Sequence, residues 1–256
     1  MHRQIYHRYG MYKNLLFVLL NIVVLVCLGS CRWNSGSKAA HGKHQQEEMV
    51  LLTFHLELNP QVYQDSTWGD PPQIAIWLKN QKDQSIRTVM VTLRTAICDW
   101  VGKVECSVAL PCWVAFYNRQ TGTKGPPTWD NPVTEALTCA TPKASLSTAV
   151  EVPRGTRWEV FVEVNVSGDF NVNFPSLSNE GFTDRYGNGQ PSLVYRGYIE
   201  ATDGSTAQPE LWGRTDQYEP TGQIITDLDG ITTASQILRK VFVSCREKTK
   251  PSTARM

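Results

Sequence analysis

The stretch Trp158-Glu-Val-Phe-Val-Glu-Val-Asn-Val166 decides the fold class, because its apolar and polar residues alternate with a period of about two. Successive side chains of a β-strand point to opposite faces, so the pattern predicts a strand with one apolar face. The other face carries Glu159, Glu163 and Asn165, and we expect it to be solvated. Pro153-Arg154-Gly155, just before the strand, has the composition of a turn and predicts a hairpin with residues 149–152.

The same alternation recurs along the chain on both sides of this strand. Residues 73–79 and 87–93 are predicted to form a hairpin around a polar turn, and residues 193–200 and 241–243 to form further strands. One short helix is expected near residues 232–238 from the spacing of its apolar residues. Five apolar residues share one face of another predicted strand: Val50, Leu52, Phe54, Leu56 and Leu58. The chain is therefore predicted to be mostly β, an immunoglobulin-like antiparallel β-sandwich with one short C-terminal helix.

The composition is that of a globular chain, since 41% of its 256 residues are hydrophobic and 19% are charged. The formal net charge is +1, from 25 basic and 24 acidic residues. The first 30 residues contain Arg3, Arg8 and Lys13 and no acidic residue, so the rest of the chain is slightly acidic. Non-specific binding to nucleic acid requires a strong positive field, and we therefore expect no nucleic-acid partner.

The N-terminus has the organisation of a secretory signal peptide. A basic stretch that ends at Lys13 precedes an apolar run of about 14 residues, from position 15 to position 28. A helix needs about 20 apolar residues to span a bilayer, so the run indicates a signal-peptide core rather than a membrane-spanning anchor. Met1 and Met11 both fit as the start, since Met11-Tyr-Lys13 makes a short basic region.

The apolar run ends in Leu28-Gly-Ser-Cys31, which resembles a bacterial lipobox. The two small residues let an extended backbone enter the signal peptidase, and the thiol of Cys31 then carries the lipid. Residues 1–30 are therefore predicted to be a lipoprotein signal peptide, and Cys31 the lipidation site. Position 32 is Arg rather than Asp, so the periplasmic face of the outer membrane is the default location, with the inner membrane or the cell surface as alternatives.

The remaining chain is predicted to contain one folded domain. Residues 31–47 are polar and form a flexible tether, residues 48–246 form the β-sandwich, and residues 247–256 form a disordered basic tail. The segment from Asn165 to Gln190 is rich in Asn, Gly, Ser and Phe. A loop of that length within a compact domain is either disordered or functional.

The five cysteines of the predicted domain are candidates for disulfide bonds, because disulfides persist outside the cytoplasm. Their odd number allows at most two bridges and leaves one thiol. No pair has Cys-x-x-Cys spacing, which argues against a redox motif or a zinc ribbon. At least one bridge is expected within the first three of the candidates, which are Cys98, Cys106, Cys112, Cys139 and Cys245.

The sequence contains no phosphate-binding loop, dinucleotide fingerprint, zinc-protease motif or nucleophile elbow. His55 is the only histidine of the predicted domain, and we expect it on a surface face beside Glu57. Asp227-Leu-Asp229-Gly230 has too few oxygen ligands for a calcium loop and is expected to form a turn. We therefore expect neither a catalytic residue nor a metal site, and we favour a binding role over catalysis.

Several short motifs, in this order, are similar to a known family: Leu110-Pro-Cys-Trp113, residues 131–142, the strand at residues 158–166, Gly189-Gln-Pro-Ser-Leu-Val-Tyr195 and Gly230-Ile-Thr-Thr-Ala234. The family is the uncharacterised bacterial periplasmic family catalogued as domain of unknown function 2271. The resemblance covers about residues 48–246 and implies an extracytoplasmic, sandwich-like domain. Some members are encoded near flavin transferases and iron-uptake components, which implies a partner in an envelope redox or metal-uptake system.

The resemblance also implies a candidate cofactor site. Family members often carry a Gly-Ala-Thr step that resembles the motif at which a flavin transferase attaches FMN to Thr. Here the matching residues are Cys139-Ala140-Thr141, which makes Thr141 the candidate for covalent FMN. Cys stands in place of the Gly, and no second Thr follows within the motif.

Three functions follow from these observations as expectations. The first is a lipid-anchored periplasmic β-sandwich that binds an unknown protein or small molecule without catalysing a reaction. The second is a carrier of covalent flavin at Thr141. The third is a carbohydrate-binding module, because exposed tryptophans on a β-sandwich can stack on sugars, and Trp68, Trp129 and Trp212 are the candidates.

Overall fold

The computed structural model describes residues 48–64, 71–100, 108–133, 137–139, 144–219 and 221–248. Short helices connect or follow strands within these residues: α1 (Pro60–Tyr63), α2 (Leu93–Ile97), α3 (Pro111–Thr121) and a 3-10 helix (Thr233–Gln236). The strands are β1 (Met49–Leu58), β2 (Gln73–Asn80), β3 (Ile86–Thr92), β4 (Leu137–Cys139), β5 (Ser145–Pro153), β6 (Arg157–Asn165), β7 (Leu193–Glu200), β8 (Thr206–Ala207), β9 (Glu210–Arg214) and β10 (Leu238–Glu247).

The strands form two sheets that pack face to face. The four-stranded sheet has the order β5-β1-β10-β8, and the six-stranded sheet has the order β4-β3-β2-β6-β7-β9. Neighbouring strands are antiparallel, except that the three-residue strand β4 runs parallel to β3. The predicted fold class, a mostly β, immunoglobulin-like antiparallel β-sandwich, is confirmed.

The core between the sheets is built from the apolar faces that the alternation predicted. Leu52 and Phe54 of β1 and Ile76 of β2 are fully buried there, together with Val162 of β6 and Val243 of β10. Each strand contributes every second side chain, because residues two apart share a face. Burial of these side chains is the main stabilising contribution to the sandwich.

The opposite face of the six-stranded sheet differs from the expectation, since it is buried as well. Helix α3 packs over it and forms a second apolar cluster with Trp77, Phe161 and Trp113. The Trp77 and Phe161 rings are stacked with their centroids 5.1 Å apart. The prediction of a solvated face at Glu159, Glu163 and Asn165 is therefore wrong, since all three are buried. The first turn of α3 binds Glu163, Arg196 of β7 binds Glu159, and Asn188 of the loop after β6 contacts Asn165.

Helix α3 itself was not predicted, although its ends carry recognisable signals. Pro111 occupies the first turn, where its missing N–H is not needed, and Gly122 ends the helix with a φ of 74°. The predicted C-terminal helix is present as the 3-10 helix Thr233–Gln236. Strand β10 runs to Glu247, and the Nζ atom of Lys248 lies 2.8 Å from Oε1 of Glu151, so the fold extends two residues beyond position 246.

The two ends of the sandwich carry different connecting segments. Glu48 lies beside the β5–β6 turn, where its carbonyl oxygen accepts a hydrogen bond from the Arg154 N–H, and Val50 is paired with Glu247. The other end carries a long loop, residues 166–192, and the segment 215–232; together we call them the loop end. Strand β1 separates the two ends by about 30 Å. None of the helices in the described part of the chain has the length and apolar character needed to span a bilayer.

Candidate functional site

The long loop at the loop end exposes an unusual number of apolar side chains. Of the seven large hydrophobic residues that are exposed in the described residues, four lie in this loop. Phe170 is 41% exposed, Val172 91%, Leu177 60% and Phe182 56%. Leu177 and Phe182 belong to the same small hairpin, because the Ser178 N–H donates to the Phe182 carbonyl and Leu177 bridges to Thr183. These four residues lie within 13 positions of one loop, and contiguous patches of exposed apolar side chains commonly mark binding surfaces.

The first part of the long loop is held by the buried carboxylate of Asp169. Its two oxygens accept hydrogen bonds from the backbone N–H of Gln190, at 2.9 Å, and from the Gln190 side-chain amide, at 3.0 Å. The same amide group donates to Thr233 Oγ1 at 2.6 Å, and its oxygen accepts from the Thr232 N–H at 2.7 Å. Asp169 and Gln190 therefore tie the start of the loop, its end and the 3-10 helix together.

The second part of the loop is held by the carboxylate of Asp184. It accepts hydrogen bonds from the N–H groups of Tyr186 and Gly189, at 3.1 and 2.9 Å, and from the side-chain amide of Gln217, at 3.2 Å. The Gln217 amide also donates to the Pro175 carbonyl, which accepts a second hydrogen bond from the Tyr218 hydroxyl at 2.9 Å. The segment 215–219 thus supports the hairpin that exposes Phe182.

Asn171 fixes the most exposed turn of the loop. Its side-chain oxygen accepts hydrogen bonds from the N–H groups of Asn173 and Phe174, at 2.9 and 2.8 Å. Its amide group donates to the Gly230 carbonyl at 2.9 Å and so reaches across to the segment 215–232. Val172 is consequently presented on a turn whose backbone is hydrogen-bonded on both sides.

Burial perturbs the two carboxyl groups that lie deepest on this side of the six-stranded sheet. Asp169 is 1% exposed, and burial raises its pKa to about 8 against the lowering effect of its hydrogen bonds to Gln190. Glu163 is fully buried, and burial raises its pKa to about 7. Both groups therefore hold protons at pH values where exposed carboxyl groups are ionised.

Glu163 binds the first turn of α3. One of its oxygens accepts from the Trp113 N–H at 2.7 Å, and the other accepts from the Cys112 N–H at 3.1 Å and the Ser192 hydroxyl at 2.6 Å. Buried N–H groups at a helix N-terminus need such acceptors. The arrangement accounts for the burial of Glu163 as a support for α3.

Glu159, two positions before Phe161 on β6, has a different partner. Its carboxylate forms an ion pair with Arg196, whose guanidinium group lies 4.3 Å from the centroid of the Trp212 ring. Trp212 is therefore packed against a cation and is half-buried. Glu159 and Glu163 therefore occupy separate environments, and they do not share an open cleft.

A groove of about 550 Å³ lies on the outer face of the four-stranded sheet. His55 is paired across the strands with Phe242 on one side and Ser147 on the other, and its Nδ1 lies 3.2 Å from the Ser147 hydroxyl. Lys240 lies 5.4 Å above the Phe242 ring. The prediction that His55 and Glu57 share an exposed face is confirmed. The groove combines an aromatic ring with several hydrogen-bonding groups.

The described cysteines do not form the expected bridge. Cys98, Cys112 and Cys245 carry free thiols, while Cys106 and the side chain of Cys139 lie outside the described residues. Cys112 lies in α3 and Cys245 in β10, and both are buried. Burial and the neighbouring charge of Glu163 raise the pKa of the Cys112 thiol, which keeps it protonated and unreactive.

Several predicted residues lie outside the described part of the chain: Cys31, Trp68 and Thr141. Lipidation at Cys31 and flavin attachment at Thr141 therefore stay predictions.

The remaining sequence-predicted features lie within the described residues. Trp129 is 64% exposed, whereas Trp212 packs against the second apolar cluster. The turn at Asp227 is formed as expected, since its carboxylate accepts from the Asp229 N–H at 2.9 Å. No cluster of three or more potential metal ligands occurs among the described residues.

Sequence reasoning identified the long loop but not the residues that hold it. Asp169 and Gln190 are 21 positions apart, and Asp184 and Gln217 are 33 apart. No local pattern connects residues at such separations. The available signal was the length of the loop together with its four bulky apolar residues, which a solvated linker does not need.

Comparisons with family models, with curated proteins and with solved structures find no match to this chain. The resemblance to domain of unknown function 2271 therefore stays a prediction.

Proposed function

We propose that this protein is a lipid-anchored module of the bacterial envelope, on the periplasmic face of the outer membrane, that binds a partner protein through the loop end. One observation carries the proposal: the long loop exposes Phe170, Val172, Leu177 and Phe182 while its backbone is held by buried polar side chains. A loop that served only to connect two strands would gain nothing from this combination.

The buried hydrogen bonds support a binding role because they order the loop in advance. Asp169, Asp184 and Asn171 together accept hydrogen bonds from backbone N–H groups near both ends of the loop. A loop that is already ordered loses little conformational entropy when it binds. Exposed Phe and Leu side chains on such a loop can then contribute most of their burial energy to affinity.

The predicted anchor is compatible with this use of the loop end. A lipid at Cys31 would join the fold through the tether, which enters at Glu48, at the opposite end from the loops. The point at which the tether would enter the fold therefore lies outside the proposed binding surface. The resemblance to domain of unknown function 2271 makes a component of a redox or metal-uptake system the expected partner.

The proposal is tested by site-specific photo-crosslinking in the protein's own host. Phe182 is replaced by benzoyl-phenylalanine in the full chain, the cells are irradiated, and adducts are identified by mass spectrometry. A single defined protein adduct is expected at this position, because Phe182 is exposed within the binding surface.

The matched control places benzoyl-phenylalanine at Lys82, an exposed residue of the turn between β2 and β3 at the opposite end of the sandwich. That site is expected to give no defined adduct. Equal adducts at positions 182 and 82, or none at position 182, would rule out the loop end as the binding surface.

A second candidate function, carbohydrate binding, is favoured by the groove on the four-stranded sheet. Phe242 supplies a ring on which a sugar can stack, and Ser145, Ser147 and His55 supply hydrogen-bonding groups beside it. A glycan array probed with the purified domain tests this function. Phe242→Ala should abolish any signal and Trp129→Ala should preserve it; an array without signal removes the candidate.

A further inference from the structure

We propose that the partner captured by the loop end presents a basic protein surface, with lysine or arginine residues around an apolar pocket. This inference rests on the proposed binding function and specifies the chemistry of the partner. It follows from the acidic residues that surround the exposed apolar side chains of the long loop.

Acidic residues flank the Phe182 side of the surface. The Phe182 and Tyr218 rings lie 6.1 Å apart, and the carboxylate of Asp216 accepts hydrogen bonds from the N–H groups of Tyr218 and Glu219 at 2.8 Å each. Glu219 and Glu180 are exposed. Burial raises the pKa of Tyr218, and the nearby negative charges of Asp184, Glu180 and Asp216 raise it further.

Acidic residues also flank the Val172 side. Gly230 is bonded to Asn171, which places the exposed Asp227 and Asp229 next to the turn that carries Val172. Asp229 directly precedes Gly230, whose carbonyl accepts the hydrogen bond from Asn171. Both borders of the apolar surface are thus negatively charged.

Within the two segments of the loop end, basic residues do not balance these charges. Arg185 is the one basic residue of the sequence between positions 166 and 192. Arg214 binds groups of the domain itself, because its Nε donates to the Asp227 carbonyl at 2.8 Å and its guanidinium group lies 5.3 Å from the Phe174 ring. Residues 166–192 and 215–232 therefore carry four exposed carboxylates, those of Glu180, Glu219, Asp227 and Asp229, and one exposed guanidinium group, that of Arg185.

An apolar centre with a charged border is the usual organisation of a protein interface. Complementary charges at the border accelerate association and select the partner, while like charges are repelled. A basic border on the partner is therefore favoured. An anionic lipid surface is disfavoured, because the same carboxylates would be repelled by its headgroups.

The experiment repeats the crosslinking at position 182 in the full chain, in two double variants. Glu180→Gln with Glu219→Gln removes two border charges and keeps both side-chain lengths. Glu200→Gln with Glu210→Gln removes two exposed charges from β7 and β9 as the matched control. Adduct yield should fall about threefold to tenfold in the first variant, since exposed ion pairs each contribute modestly, and should not change in the second.

Two further readouts fix the chemistry of the partner. The adduct yield in isolated envelopes should decrease as NaCl is raised from about 50 to about 500 mM, because salt screens border charges. The crosslinked partner peptide should carry a net positive charge. An adduct whose yield responds neither to salt nor to Glu180→Gln with Glu219→Gln overturns the basic partner while leaving the binding function in place.

The absence of any adduct at position 182 overturns the binding function itself, which keeps the two failures distinguishable. Vesicles of phosphatidylcholine with phosphatidylglycerol test the lipid alternative on the purified domain. No co-sedimentation is expected. Co-sedimentation that Phe182→Ser abolishes would show that the loop end binds a lipid surface instead of a basic protein.

Discussion

The carboxylate of Glu163, near the end of β6, accepts a 2.7 Å hydrogen bond from the backbone N–H of Trp113 in the first turn of α3. The two residues are 50 positions apart, and their contact attaches the helix to the six-stranded sheet. Cys112 and Ser192 donate to the same carboxylate. Glu163 therefore connects the helix to the start of β7, next to the long loop.

Glu163→Ala is expected to destabilise the domain by about 2–4 kcal/mol, because it leaves the buried N–H groups of Cys112 and Trp113 without an acceptor and removes a hydrogen bond from the Ser192 hydroxyl. Urea unfolding of the purified domain measures the change. The control is Glu57→Ala, an exposed carboxylate, for which a change within about 0.5 kcal/mol is expected. Similar stabilities of the two variants would contradict this role of Glu163.

Stability is expected to fall as the pH rises from about 4 to about 8. Burial raises the pKa of Glu163 from 4.5 to about 7 and that of Asp169 from 3.8 to about 8. Within this window the native state binds more protons than the unfolded state, so raising the pH favours unfolding. The contribution of each group is complete below its unfolded pKa and is lost as the pH passes through its folded pKa.

The Glu163→Gln variant isolates one part of this pH dependence. The melting temperature of the unmodified domain minus that of the variant should decrease between pH 4.5 and 7 and stay constant above, because Gln does not titrate. Thermal unfolding followed by circular dichroism supplies both values. A difference that increases with pH would mean that Glu163 is ionised in the native state at low pH.

The inner faces of the strands were predictable, whereas the outer face of the six-stranded sheet was not. Alternation with a period of two is a local property of the sequence, and it placed Val162 and Phe54 in the core correctly. Glu163 lies on the polar side of the same pattern and is nevertheless buried, because its partners come from α3 and Ser192. Polarity alone does not distinguish a solvated side chain from one that binds a distant backbone.

Helix α3 was missed because its residues do not form a strong amphipathic pattern. Its sequence, Pro-Cys-Trp-Val-Ala-Phe-Tyr-Asn-Arg-Gln-Thr, buries aromatic and β-branched residues that are also common in strands. The Pro111 and Gly122 signals at its two ends were the usable information. The contacts of the loop end could not be predicted from local patterns, because Asp169 and Asp184 meet their partners Gln190 and Gln217 only in the folded chain.

Lipidation at Cys31 is expected to determine how the protein partitions. The mature chain purified from its host should begin at Cys31 and carry the added mass of the lipid, measured on the intact protein. Cys31→Ser should remove that mass. In a detergent phase separation it should move the protein from the detergent phase to the aqueous phase. A visible absorption spectrum of the same sample tests Thr141, because a flavin adds both absorption and mass that Thr141→Ala would remove.

Gly189→Ala is expected to disorder the long loop while leaving its exposed apolar side chains unchanged. The variant therefore tests whether binding requires an ordered loop. Gly189 has a φ of 70°, and a Cβ atom there would lie 2.5 Å from the Asp169 nitrogen and 2.6 Å from its Oδ1. The alanine would displace the carboxylate that holds Gln190. We expect faster hydrogen exchange at the Gln190 and Thr232 amides, and a loss of stability well above 1 kcal/mol.

Gly155→Ala is the matched control for this change, since Gly155 has a φ of 75° and nothing within 4 Å of the added Cβ. It should cost about 1 kcal/mol, because only the left-handed backbone is disfavoured. With benzoyl-phenylalanine at position 182, Gly189→Ala should reduce the adduct while Gly155→Ala preserves it. A full adduct in Gly189→Ala would mean that the exposed apolar side chains bind without the order that Asp169 imposes.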